Sequence, residues 1–123
     1  MEAGPLKNPD LPEVRKEAMR DFAKDFGGAP VLVAVICPPA TNEADCIDYP
    51  LAAAAAVQNL LLAAWDKQLG SVWLSLGQVP QAQGILNIQS GYSVIGIVAL
   101  GSFDAAPPAQ PRTPVAKKLR QIP

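Results

Sequence analysis

The chain has no histidine among its 123 residues. That removes the commonest general base and the commonest zinc ligand. Cysteine is nearly absent: Cys37 and Cys46 stand alone, without CxxC spacing, so no metal site is expected. A disulfide between them is compatible with the sequence but not implied by it, and two buried or idle thiols are the favoured reading. No GxGxxG segment occurs, so nothing marks a Rossmann-type dinucleotide site. Charge is sparse at 17%, and the net charge of −1 argues against a general nucleic-acid binder. No acid follows Asp104, while Arg112, Lys117, Lys118 and Arg120 do. By itself such a basic tail reads as a solvated end. The first residues, MEAGPLKNPD, lack a basic-then-apolar leader, which leads us to expect a cytoplasmic protein.

What the chain does have is apolar residues, at 50%. That suits a single domain with a core of its own. Their densest stretch is DYPLAAAAAVQNLLLAAWDKQLGSVWLS, from Asp48 to Ser75. It predicts a helix over 49–68, stopped by Gly70, with a strand over 71–75 behind it. A helix apolar on every side has no polar face to give to water. It is expected at the centre of a domain or between two subunits. The Leu51–Trp65 run reads as too short for a membrane span and carries Gln58 and Asn59 in its middle.

Around it the pattern alternates. Residues 1–9 are expected to be loose. Asp10 is a candidate cap for an amphipathic helix that ends at Gly27-Gly28. VLVAVIC, Val31 to Cys37, is a continuous β-branched run of the kind found in interior strands. Glu43, Asp45 and Asp48 fall in the stretch before the long helix, where carboxylates complement its dipole. A brief helix over 79–88, a second apolar strand over 92–100 and a proline-rich arm over 105–114 follow, with a last helical turn after it. Three strands among helices imply a small sheet covered by helices. No side chain is singled out as catalytic.

In this order and spacing, the segment Asp48–Ser75 resembles the central helix and following strand of the flavin-dependent nitroreductase family. GYSVIGIVALGSFDAAPPAQPRTPVAKKL resembles that family's last core strand, its ALG ending and its arm with a Pro-Arg-x-Pro element. APVLVAVIC fits as well. The resemblance covers about residues 10–120. It implies an α+β layered sandwich with a small mixed sheet and a long central dimerisation helix. It also implies FMN at a dimer interface, with electrons passing from NAD(P)H to nitroaromatics, quinones or similar acceptors. By the same resemblance, Arg112 matches an arginine that reaches the flavin phosphate, a role suited to a guanidinium fork. Trp73, Leu74, Ser75 and Leu76 match the segment beside the isoalloxazine ring. The family's basic N-terminal helix, its Asn-containing segment and its Trp-Arg or Trp-Lys strand have no counterpart here. The chain is thus expected to be one nitroreductase-like domain lacking the usual N-terminal FMN-binding segment, with 105–123 as an extended arm. The alternative is a non-catalytic subunit or degenerate binding domain that pairs with a full-length partner.

Overall fold

The computed structural model describes residues 8–75 and 80–122, with backbone alone for 80–82. Its elements run α1 (Glu13–Asp25), β1 (Val31–Cys37), α2 (Glu43–Asp66), β2 (Gly70–Leu74), α3 (Pro80–Ile85) and β3 (Ser93–Gly101), with a 3-10 turn at Val115–Lys117. The strands form one sheet in the order β1-β3-β2. Both pairings are antiparallel, so the α+β class stands but the sheet is not mixed.

β3 is the middle strand. Its partners on both sides leave Val94, Ile97, Val98 and Ala99 buried, with Val98 at 0% exposure. β1, expected as an interior strand, is an edge strand. Val31, Leu32 and Ile36 remain exposed on it. A β-branched run reports that a strand wants cover, not whether its own chain supplies it. β2 lies close against β3 at Gly96. There the Trp73 indole lies directly over Gly96, and Leu74 O is 2.9 Å from where a Cβ on Gly96 would sit. Only glycine leaves that space.

α2 is the long helix, and it touches all three strands. It starts six residues before the expected position 49. Asn42, not an acid, is the N-cap: its side-chain oxygen accepts from Asp45 N at 3.0 Å. Asp45 in turn accepts from Thr41 N at 2.9 Å and from the Thr41 hydroxyl. Glu43, Asp45 and Asp48 therefore sit inside the helix, the first two in its first turn, where they complement its positive end. Pro50 is interior to the helix, not at its start. The far end is a Schellman motif: Gln68 adopts φ +60, Gln68 N donates to Trp65 O, and Leu69 N donates to Ala64 O. Gly70, expected to stop the helix, opens β2 instead.

The inward stripe of α2 carries buried Val57 and Ala64, with half-buried Ala53, Ala54, Leu60 and Leu61 beside them. Its other side stays open: Leu51 is 63% exposed, Leu62 59% and Trp65 53%. Within one chain α2 is thus a covering helix and not a buried rod. At 24 residues it is also long and apolar enough to span a membrane by length and composition, against the expectation from Leu51–Trp65. α1 holds no buried residue. Asp10 does not cap it; Pro12 occupies the N-cap without a side-chain bond, and Phe26 takes the left-handed C-cap ahead of Gly27. Of residues 1–9, expected to be loose, 1–7 lie outside the described residues, and Asn8 and Pro9 are exposed.

Candidate functional site

Trp73 and Leu74 end β2, and Ser75 is the first residue beyond it. Trp73 is held by Gly96 beneath it and is partly exposed, so one side of the indole remains open at the sheet surface. Leu76 lies outside the described residues. Arg112 is exposed on the extended segment between Phe103 and the Val115–Lys117 turn. Among the described residues, none of Trp73, Leu74, Ser75 and Arg112 lines either of two clefts that the structure forms.

The first cleft, about 220 Å³, lies where the end of α1 meets the sheet. Gly27, Gly28, Gly70 and Gly101 bring its backbone walls close, with the Ser71 and Ser102 side chains at its edge. The second, also about 220 Å³, lies between the end of β1 and the start of α2. Cys37, Asp45, Cys46, Tyr49 and Ser93 line it, with Pro39 behind. Thr41's hydrogen bonds hold the Asp45 carboxyl below its ordinary range, and the charge on Asp45 pushes the Tyr49 phenol up. Burial pushes the Cys37 thiol up. Both volumes fall below the roughly 300–1,000 Å³ of ordinary small-molecule sites. Sequence reading missed the second cleft. Nothing in the nine-residue spacing of two cysteines announces that a loop will fold them together. It missed equally that Phe103 stacks on Trp65, with ring centroids 5.6 Å apart and planes 1° from parallel.

Residues 4–102 match the model of the Nitroreductase family. The chain therefore belongs to that family, and its α+β architecture agrees with solved relatives. It is similar to the protein named "Putative NAD(P)H nitroreductase YfhC" of Bacillus subtilis (strain 168), with 27% identity over 90% of this chain and 58% of that protein. A nitroreductase-like family protein from Bacillus cereus superposes with a TM-score of 0.73 and 28% identity, over 95% of this chain and 64% of the other. A nitroreductase-type protein from Desulfovibrio desulfuricans, solved in complex with FMN, gives a TM-score of 0.63 and 33% identity over 78% and 56%. The chain spans a little under two thirds of the length of these relatives.

Proposed function

We propose that the chain works as an FMN-dependent oxidoreductase of nitroreductase type, passing electrons from NAD(P)H to a nitroaromatic, quinone or similar acceptor. The observation that carries this reading is the 33% identity to an FMN-bearing structure across 78% of the chain. Among the described residues, two clefts of about 220 Å³ are small for a flavin, and neither is lined by Arg112 or by Trp73, Leu74 and Ser75. The residues fit as part of a site shared between copies. The open face of α2, with Leu51, Leu62 and Trp65, supports a homodimer through that helix, where it hides from water and not in lipid. On this reading the protein is cytoplasmic.

Bound FMN would supply hydride and electron transfer, chemistry that no side chain here has to perform. The chain's own work is to bind and orient. Arg112 would offer two parallel N–H donors to the phosphate, and the prolines on either side, Pro111 and Pro114, limit how far its loop can stray. The backbone after Trp73 would border the ring, steadied by the indole packed on Gly96. Arg112→Ala is expected to weaken FMN binding by about 1.5–3 kcal/mol in a flavin-fluorescence titration; an unchanged dissociation constant rules its role out.

The deciding experiment is an absorption spectrum of the purified protein, followed by reconstitution with FMN and addition of NADH or NADPH. Flavin bands that bleach with either donor support the proposal. A protein that binds no FMN even as a dimer defeats it. The small clefts favour one other reading, a non-catalytic subunit whose larger partner holds the flavin. Stabilisation by a full-length family member, without flavin bound to this chain alone, would select it.

A further inference from the structure

Cys37 ends β1 and Cys46 lies in the opening turns of α2, yet both line one cleft of about 220 Å³. Both are free thiols, Cys37 buried and Cys46 exposed. The Cys37 thiol donates to the Tyr49 carbonyl at 3.4 Å. Tyr49 is three residues beyond Cys46, roughly 4.5 Å along a helix axis. The Cys37 sulfur therefore already touches α2 within one turn of Cys46. Bridged cysteines hold their Cα atoms roughly 4.4–6.8 Å apart, so the start of the helix must move to bring Cys46 onto the Cys37 sulfur across the cleft that both line. Pro50 makes that shift easy. It has no N–H to give the Cys46 carbonyl, so the helix lacks a hydrogen bond at the turn that must move.

We propose that Cys37 and Cys46 form a reversible disulfide by exchange with a low-molecular-weight disulfide, locking the end of β1 to the start of α2 and closing the cleft between them. Exposed Cys46 reacts first. Its thiolate attacks one sulfur of glutathione disulfide, that S–S bond breaks, and one glutathione thiolate leaves. The Cys37 thiol then gives its proton to solvent, and its thiolate attacks the Cys46 sulfur of the adduct. The second glutathione thiolate leaves and the protein bridge is made. Two thiols of the protein are oxidised, and one glutathione disulfide is reduced to two thiols. The second step is the slower, because a buried thiol resists ionisation. Among the described residues, the elements that the bridge spans otherwise meet through packing and the Cys37–Tyr49 bond. Thiol state is thereby tied to the tilt of α2, the helix with the open apolar face.

The test treats the full chain with oxidised glutathione under native conditions and reads intact mass and protease-derived peptides. The protein is expected to lose the mass of two hydrogens and to yield a joined Cys37–Cys46 peptide pair, both reversed by dithiothreitol, with its circular dichroism retained. Cys37→Ser is expected to stop at a glutathione adduct on Cys46, and Cys46→Ser to stay unmodified. Pro50→Ala is expected to lengthen the life of the adduct in a chain that keeps both cysteines. A wild-type protein that stops at the adduct, stays unreacted or joins two chains overturns the bridge. So does one that bridges only with loss of its helical spectrum. An unchanged adduct lifetime in Pro50→Ala removes the hinge from the proposal and leaves the geometry without its means of closing.

Discussion

α2 and β3 are both apolar runs, and their surroundings could hardly differ more. β3 has a hydrogen-bonded strand on each side, and Val94 and Val98 are almost wholly removed from water. α2 is longer and just as apolar in its centre, but only Val57 and Ala64 are buried. A strand in mid-sheet is covered by the ladder and packing of its own chain. A helix lying on a three-stranded sheet has one stripe to bury, and the rest must wait for something else. Apolar composition thus records the sum of all the cover an element receives. It does not divide that cover between the chain and its partners.

The comparison breaks first at β3. Gly96→Val would drive a side chain into the Trp73 indole and toward the Leu74 carbonyl, forcing β2 away from β3. The expected loss is about 3 kcal/mol or more, read as a drop in the denaturant midpoint. A midpoint within experimental error of wild type would mean that the Trp73–Gly96 contact does not set the ladder. The matching change in α2 is Leu62→Glu. Leu62 faces outward, so the isolated fold should keep its helix content and its unfolding midpoint at low concentration. Association should weaken by about 2–3 kcal/mol, from lost apolar burial and a carboxylate placed in a dry surface. Sedimentation velocity across a concentration series measures it. Wild-type and mutant chains sedimenting alike would show that this face is not an interface.

Leu62, and not one of the central alanines, is the site to change, and the reason shows where the sequence stops speaking. A helix apolar all round has no moment to say which side meets the sheet. Ala54 lies in the Ala52–Ala56 run that suggests close helix contact, yet it is half-buried on the sheet side with Val57. The element order was legible because glycine, proline and β-branched runs punctuate it: helix, strand, long helix, strand, brief helix, strand, arm. The antiparallel pairing and the edge position of β1 were not, since both depend on which strand ends in the middle. The start of α2 was misplaced for a local reason. A proline inside a helix is unfavourable, so sequence reading puts Pro50 at a helix beginning. The Asn42–Asp45–Thr41 bonds start the helix seven residues earlier, and packing on the sheet carries it through. As for the proposed flavin site, residues 73–76 and Arg112 were suggested only through likeness to a family. Nothing in their own spacing says that they meet, and among the described residues Trp73, Leu74, Ser75 and Arg112 line neither of the two clefts.

Smaller effects sharpen the same contrast at the start of α2, where the helix depends on polar bonds instead of burial. Asn42→Ala removes the cap on Asp45 N and is expected to cost about 1 kcal/mol in stability. Chemical denaturation at neutral pH measures it. No change would mean that water replaces the cap without loss.

The smallest expected effect is a pH dependence. Asp45 is held below the ordinary carboxylate range chiefly by the Thr41 hydroxyl, with the Thr41 backbone N–H next. A carboxyl depressed in the folded state binds protons more readily when unfolded. Its contribution is therefore fully present above the unfolded value near 4 and is lost as pH falls through the lower folded value. Asp45→Asn should flatten the acid side of the stability curve by a small amount, because the group is exposed and screened by solvent. The mutant and wild-type curves are expected to converge at the acid end, where the wild-type carboxyl is protonated too, and to separate toward neutral pH. The same comparison in β3 should show no such slope, since Ser93–Gly101 carries no titratable side chain. Curves that stay parallel from acid to neutral pH would show that the Thr41–Asp45 bonds add nothing to the helix start. The long stay of α2 on the sheet would then rest on Val57, Ala64 and their neighbours alone.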